Sequence, residues 1–184
     1  SAFYEIRKQG NVSFGYIELS TFGTDTAKQV EIALEMFKKK NIQTLVIDLR
    51  DNGGGYLTAA TDILDLFFTS DEVIYQMKEK NSAAKKYYAE SDKKYEFENG
   101  YILVNENTAS ASELTAGALQ SEKGYQLIGK TTYGKGSAQT QKTLSDGSVL
   151  KYTYAKWMIP NGTCINGKGL TPDEEVDNVS LSGI

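Results

Sequence analysis

Residues 45–57 read LVIDLRDNGGGYL, and the local pattern that decides the fold lies in this stretch. The first residues of this stretch belong to the run Thr44–Leu49. This run is short and largely apolar, which is typical of a buried parallel strand. Asp51–Gly55 follows as a glycine-rich loop, and the apolar stretch from Leu57 to Phe68 is predicted to form a helix. A strand, a loop and a helix in this order make one βα unit of an α/β protein.

The same order recurs further along the chain. Tyr101–Val104 is a second buried strand that leads into a predicted helix over roughly residues 110–122. Tyr125–Ile128 is a third predicted buried strand. A predicted helix that runs to about Lys40 precedes the first buried strand, Thr44–Leu49. Other strands are predicted over residues 3–8, 12–19, 72–80, 138–144 and 148–157, with hairpin turns at Gly10-Asn11 and Asp146-Gly147. The sequence therefore predicts an α/β fold in which βα units form a mixed, largely parallel sheet with flanking helices, plus added β-hairpins.

The chain length and composition fit a single domain over residues 1–184. Hydrophobic residues make up 40% of the 184 residues and charged residues 24%, which is typical of a folded protein. Residues 81–99 are polar, rich in tyrosine and only weakly periodic, so they are interpreted as a surface excursion or lid. Residues 170–184, which begin just before Pro172, are expected to form an extended acidic tail.

Charge and hydropathy exclude several classes of partner. A net charge of -4 argues against a nucleic acid or an anionic membrane as the main partner. No uncharged apolar run approaches the roughly 18 residues of a membrane span. The segment has no basic-then-apolar leader, so any targeting signal is expected outside it. The single cysteine, Cys164, excludes an internal disulfide and a zinc site made of several thiolates.

The sequence contains no histidine, and this absence restricts the possible chemistry. It excludes a Ser-His-Asp triad, a Cys-His dyad and every histidine-ligated metal site. A base would have to be a lysine, a tyrosine or a carboxylate. No motif implies a metal or another cofactor.

Three loops follow the predicted buried strands, at the edge where open α/β sheets place their sites. They are Asp51–Gly55, Asn105–Ser112 and Gly129–Ser137. In the second loop, Ser110 lies at a strand-to-helix turn, where free backbone N–H groups can stabilise an oxyanion. Ser110 with Glu113 three residues later is also a capping box, so the loop alone leaves both interpretations open.

The third loop contains Lys135 between Gly134 and Gly136. A lysine acts as a base only when it is neutral, and a pKa near 10.4 leaves about one in two thousand neutral at pH 7. An exposed turn lysine is the alternative interpretation. Gly129-x4-Gly134-Lys135 also matches the start of a phosphate-binding loop, but Gly136 replaces the required hydroxyl and no helix follows. The Gly53–Gly55 run allows close backbone approach to a ligand but lacks dinucleotide-binding spacing.

Taken together, the loops resemble the protease core of the S41 family, the C-terminal processing or tail-specific peptidases. The matching stretches are LVIDLRDNGGGYL (45–57), ILVNENTASASELTAGALQ (102–120), IGKTTYGKGSAQ (128–139) and IPNGTCINGKGLTPDEEV (159–176). The resemblance implies a ClpP/crotonase-like core, with Ser110 as nucleophile, Lys135 as general base and Gln139 as the residue that orients the lysine. It also implies an oxyanion hole formed by the backbone N–H of Ala111 and that of Gly54 or Gly55. Ser112 is the rival nucleophile.

The resemblance further implies a serine endopeptidase that hydrolyses protein substrates near their C-termini through an acyl-enzyme. The substrate is expected to bind in an extended conformation against a sheet edge. Members of this bacterial family usually act in the cell envelope or are secreted. Their PDZ domain does not fit within this chain, so a PDZ domain or another regulatory partner is expected outside it, and an oligomer is compatible with the resemblance.

Two further functions remain open from the sequence. A non-catalytic module of the same fold would bind an apolar ligand or a peptide, and ligand binding would then survive substitution of Ser110. An acyl-CoA enzyme of crotonase-like architecture would use backbone N–H donors for a thioester enolate and would not need Lys135.

Overall fold

A computed structural model of the chain describes residues 1–92 and 94–177. Within these ranges the chain forms two β-sheets and three helices. In chain order the elements are β1 (Ala2–Gln9), β2 (Val12–Leu19), α1 (Thr26–Lys39), β3 (Thr44–Asp48), α2 (Leu57–Leu64), β4 (Val73–Glu79), β5 (Lys85–Tyr88), β6 (Asn99–Val104), α3 (Ala111–Lys123), β7 (Gln126–Gly129), β8 (Ser137–Thr143), β9 (Val149–Met158) and β10 (Glu174–Glu175).

The larger sheet has six strands in the order β1-β2-β3-β6-β7-β10. Strand β1 pairs antiparallel with β2, and every other neighbouring pair in this sheet is parallel. Parallel neighbours need crossover connections, which helices supply between β2 and β3 and between β6 and β7. The predicted α/β fold with a mixed, largely parallel sheet and flanking helices is therefore confirmed.

The main core lies between one face of this sheet and the helices. Apolar side chains of alternate strand residues share it with residues of all three helices, among them Ile17, Ile47, Ile102, Leu34, Leu64 and Leu114. Phe37 of α1 is fully buried and packs so closely on β2 that a Cβ added at Gly15 would lie 2.5 Å from its ring. Gly15 therefore allows α1 to approach the sheet.

The smaller sheet has four antiparallel strands in the order β5-β4-β9-β8. Both hairpin strands predicted around Asp146-Gly147 belong to it. One face carries Tyr75, Ala155 and Trp157, which are buried. Because β4 and β9 pair, this sheet joins segments of the chain that are distant in sequence.

The structure refines the sequence interpretation of three segments. Residues 81–99 contain strand β5, and Tyr95 within this segment is buried, so part of the predicted excursion belongs to the fold. Helix α2 ends at Leu64 although the apolar run continues to Phe68. Beyond it the N–H groups of Leu66 and Phe67 donate to the carbonyls three residues earlier, as in a tight turn, and the carbonyl of Leu66 accepts the N–H of Tyr95 at 2.7 Å. In the predicted extended tail, β10 pairs parallel with β7, and residues 178–184 lie outside the described residues.

No helix within the described ranges is long and apolar enough to cross a membrane.

The packing of Phe37 on β2 predicts that Gly15→Ala destabilises the fold. The added methyl group would overlap the ring of Phe37. Because this ring is fully buried, it cannot shift into solvent to make room. We expect a loss of about 1–3 kcal/mol in the free energy of unfolding, measured by urea denaturation. Gly23→Ala is the matched control, because the nearest atom to its added Cβ is 3.7 Å away. An equal effect of the two substitutions would contradict this account.

Candidate active site

The three loops singled out from the sequence meet at the carboxyl ends of β3, β6 and β7. The N–H of Ala109 in the second loop donates to the carbonyl of Asn52 in the first at 3.0 Å. The N–H of Tyr133 in the third loop donates to the carbonyl of Thr108 in the second, also at 3.0 Å. Backbone hydrogen bonds therefore join the second loop to each of the others.

Ser110 lies at the turn from β6 into α3, where it is the N-cap residue and half-buried. Its backbone has φ 58° and ψ -118°, a conformation that an L-residue adopts at a cost of roughly 1–3 kcal/mol. Such strain persists only when the surroundings enforce it, and it is concentrated at functional positions. A strained serine on a strand-to-helix turn is also how α/β-hydrolases expose their nucleophile.

Glu113 enforces the conformation of this turn and also extends to the lysine loop. Its side chain is fully buried, and one carboxylate oxygen, Oε2, accepts the N–H groups of Ser110 and Lys135, both at 2.9 Å. The other, Oε1, accepts the hydroxyl of Thr132 at 2.6 Å and the N–H of Gly134 at 2.7 Å. One carboxylate therefore fixes the backbones of both Ser110 and Lys135.

The capping-box pattern in the sequence predicted only the bond between Glu113 and Ser110. The three bonds to the lysine loop were not predicted, because residues 113 and 132–135 are brought together by the sheet and not by local spacing. The hydroxyl of Thr132 also accepts the N–H of Leu170 at 2.7 Å. The network thus includes the segment that leads to β10.

Of the three residues predicted for the oxyanion hole, Ala111 and Gly54 lie next to Ser110. Ala111 is the first residue of α3, and its N–H donates to no acceptor among the described residues. A Cβ added at Gly54 would lie 2.9 Å from the Cβ of Ser110 and 3.0 Å from the nitrogen of Ala111, so only glycine fits there. The N–H of Gly54 donates to Oδ1 of Asn52 at 2.9 Å, whereas that of Gly55 makes no such bond within the described part.

Lys135 lies in a glycine turn that other segments hold in place. The carbonyl of Gly134 accepts the N–H of Gly167 at 2.8 Å, and the carbonyl of Gly136 accepts the N–H of Trp157 at 3.0 Å. The side chain of Lys135 is exposed. Among the described residues no hydrogen bond joins the side chain of Lys135 to that of Ser110, so the structure brings the two loops together without closing this contact.

Gln139 lies on β8, just after an irregularity between Ala138 and Gln139. The register places it opposite Thr153, and because side chains alternate along β8 it lies on the other side of the strand from Ala138, which pairs with Ala155. Its side chain is exposed. Gln139 and Lys135 are therefore on one continuous stretch of chain, which enters the smaller sheet at Ser137.

Ser112, the rival nucleophile, is fully buried and its hydroxyl donates to the carbonyl of Asn52 at 2.9 Å. Asn52 is also fully buried, and its side-chain amide donates to the carbonyl of Leu19 at 2.6 Å. These bonds give Ser112 a structural role in joining α3 to the first loop. They favour Ser110 as the serine that reacts.

A polar cleft of about 590 Å³ lies at the same edge of the larger sheet. Its lining includes Asp48 and Arg50, and Arg50 Nε donates to Asp48 at 2.8 Å. The hydroxyl of Tyr16 donates to the same carboxylate at 2.8 Å, and burial followed by the nearby Asp48 raises the pKa of Tyr16. Within the described residues no group of three or more Cys, Asp or Glu side chains could hold a metal ion.

Because Glu113 satisfies four donors with two oxygens, Glu113→Gln is expected to destabilise the chain strongly. The glutamine amide would place an NH₂ group against two donors that have no other acceptor. We expect a loss of about 2–4 kcal/mol in the free energy of unfolding, measured by urea denaturation. Glu122→Gln, on the exposed side of the same helix, is the control and should change stability by less than about 0.5 kcal/mol. A stable Glu113→Gln variant would show that the carboxylate does not hold the loops.

Comparison with known proteins identifies the family of the chain. The model of peptidase family S41 matches residues 13–176. The carboxy-terminal processing protease CtpB of Bacillus subtilis (strain 168) is 40% identical over 168 residues, which are 91% of this chain and 35% of CtpB. CtpA of the same organism is 36% identical over 174 residues, or 95% of this chain and 37% of CtpA.

A solved structure of a photosystem II D1 C-terminal processing protease superposes with a TM-score of 0.80 at 32% identity, covering 90% of this chain and 42% of that one. The chain spans between 35% and 37% of the length of these two Bacillus relatives. Since the family model covers most of the sequence, including all three loops of the site, the chain belongs to peptidase family S41.

Proposed function

We propose that the chain is the catalytic core of a serine endopeptidase in which Ser110 and Lys135 form a dyad. The observation that carries this proposal is the buried Glu113 carboxylate, which binds the backbone N–H groups of both residues at 2.9 Å. A scaffold of this kind positions a nucleophile and a base relative to each other without contacting the substrate. The strained backbone of Ser110 supports the same assignment.

In the first step Lys135, in its neutral form, accepts the proton of the Ser110 hydroxyl as the oxygen attacks a peptide carbonyl. The N–H of Ala111 and a glycine N–H of the first loop stabilise the oxyanion. Gly55 supports this role better than Gly54, because the N–H of Gly54 already donates to Asn52. Gln139 is proposed to orient the amine of Lys135 when substrate is bound.

In the second step the tetrahedral intermediate collapses and the C–N bond breaks. The ammonium group of Lys135 gives its proton to the leaving amine, which leaves an ester on Ser110. Neutral Lys135 then accepts a proton from water as the water attacks the ester. As the second tetrahedral intermediate collapses, the ammonium group of Lys135 returns this proton to the Ser110 oxygen. The carboxylic acid leaves, and both the Ser110 hydroxyl and neutral Lys135 are restored. No metal or other cofactor takes part in this proposed sequence.

The proposed substrate is a protein or peptide bound in an extended conformation. Strand β8 supports this view, because it pairs only with β9 among the described strands and begins two residues after Lys135. Cleavage near C-termini follows from the names of the similar proteins. A PDZ domain or another regulatory partner outside this chain, an oligomer, and a location in the cell envelope or outside the cell are further parts of the proposal.

The dyad predicts that Ser110→Ala and Lys135→Ala each abolish proteolysis. We expect the cleavage rate of unfolded casein, followed by mass spectrometry of the products, to fall roughly a thousandfold or more in either variant. Ser112→Ala should retain cleavage, because its hydroxyl is buried and bonded to Asn52.

Two results would contradict the proposal. Cleavage that persists in purified Ser110→Ala would reject Ser110 as nucleophile. A wild-type chain that binds peptides but cleaves none, even when a PDZ domain is fused to it, would favour the binding module.

A further inference from the structure

The connection from β2 to α1, residues 20–25, packs against the glycine-rich loop of the site. The N–H of Phe22 donates to the carbonyl of Gly54 at 3.0 Å, and the carbonyl of Phe22 accepts the N–H of Tyr56 at 2.9 Å. Phe22 thereby forms a parallel β-bridge with Gly55. A Cβ added at Gly55 would lie 2.2 Å from the carbonyl oxygen of Phe22, so only glycine allows this close approach.

A second donor from the same connection reaches the carbonyl of Gly54. The hydroxyl of Thr21 donates to this oxygen at 3.2 Å. The first residue of α1 holds Thr21 in turn: the hydroxyl of Thr26, which is buried, donates to the carbonyl of Thr21 at 3.3 Å and accepts the N–H of Gly23 at 2.9 Å. The carbonyl of Gly54 therefore accepts two hydrogen bonds, one for each lone pair of its oxygen.

The direction of this carbonyl determines the direction of the N–H of Gly55. Both groups belong to the peptide unit between Gly54 and Gly55, which is planar and trans. In such a unit the C=O and N–H bonds point in opposite directions. The donors of residues 21 and 22 therefore turn the N–H of Gly55 away from the β2–α1 connection, and it meets no acceptor among the described residues.

This peptide unit depends on its hydrogen bonds because a glycine lies on each side of it. Gly54 and Gly55 have φ values of 100° and 148°, and without Cβ atoms the plane of the unit can rotate at low steric cost. The preceding unit is held separately, through the N–H of Gly54 and Oδ1 of Asn52. Within the described ranges, the bonds from Thr21 and Phe22 are the only hydrogen bonds that fix the unit between the two glycines.

From these contacts we propose that Thr21 is a positioning residue, whose hydroxyl orients the Gly54–Gly55 peptide so that the N–H of Gly55 stabilises the oxyanion. The inference deepens the proposed peptidase function and rests on it. A carbonyl that accepts hydrogen bonds also polarises the N–H of its own peptide unit, which makes that N–H a stronger donor. Thr21 itself contacts no reacting atom in this proposal and acts only through Gly55.

Thr21→Val tests the proposal, because it removes the hydroxyl and keeps the branched shape of the side chain. Loss of a whole oxyanion-hole donor lowers kcat by about 10²–10³-fold. The effect here should be smaller, since Phe22 still binds the carbonyl and water can replace the hydroxyl of the exposed Thr21. We expect kcat to fall roughly tenfold while KM stays within about twofold, because the oxyanion forms only as the reaction proceeds. The substrate is a fluorogenic peptide that spans a cleavage site found in casein.

Two further variants separate the hydroxyl from a general disturbance of the connection. Thr21→Ser restores the hydroxyl lost in Thr21→Val and should return kcat to within about threefold of the wild-type value. Thr24→Val makes the same substitution at an exposed threonine of the same connection, whose hydroxyl has no hydrogen bond among the described residues. Thr24→Val should leave both kcat and KM unchanged.

The direction of the N–H bond of Gly55 can also be measured without any cleavage. In weakly aligned, ¹⁵N-labelled protein, the one-bond N–H residual dipolar coupling of Gly55 reports this direction. We expect the coupling to change in Thr21→Val and to return to the wild-type value in Thr21→Ser. The couplings of β3 and β6 should stay the same in both variants, which shows that the sheet is intact.

Four results would overturn the proposal. They are an unchanged coupling of Gly55 in Thr21→Val, an unchanged kcat, a loss confined to KM, and an equal loss in Thr24→Val. A changed coupling in Thr21→Val, together with a wild-type chain that cleaves no casein, would instead reject the peptidase function. In that case the orienting role of Thr21 on the Gly54–Gly55 peptide would stand.

Discussion

The buried carboxylate of Glu113 is the interaction on which the arrangement of the site depends. A charge with no exposed surface is tolerated only when its oxygens are fully hydrogen-bonded. Here four donors from two loops supply those bonds, and two of the donors are the backbone N–H groups of Ser110 and Lys135. The same contact that makes burial of the charge acceptable therefore sets the relative position of the proposed nucleophile and base.

The backbone around this carboxylate leaves little choice of residue. Gly54 lies against Ser110 and Ala111 so closely that a Cβ would overlap both, and Ser110 itself adopts a strained conformation. The side chains of Lys135 and Gln139, by contrast, are exposed. The site thus combines a rigid backbone with free side chains, an arrangement in which a bound substrate supplies the remaining order.

The sequence predicted the features that depend on local pattern. Apolar and alternating runs predicted every strand of the larger sheet except β10, and the βα order placed Asp51–Gly55, Ser110 and Lys135 at one edge. It did not predict contacts between distant segments, namely the bonds from Glu113 to residues 132–135 and the pairing of β4 with β9. Capping-box spacing indicated only one of the four bonds of Glu113, because the others require the folded sheet to bring them within reach.

Whether the amine at position 135 is the base can be tested by replacing it chemically. In a Cys164→Ser background, Lys135→Cys should be inactive, and reaction of the new thiol with 2-bromoethylamine should restore cleavage. The thioether of the resulting side chain lowers the pKa of its amine, so the acidic limb of kcat/KM against pH should move to lower pH than in the parent. Failure to restore cleavage would contradict the role of Lys135 as general base. So would restored cleavage whose kcat/KM has its acidic limb at the same pH as in the parent.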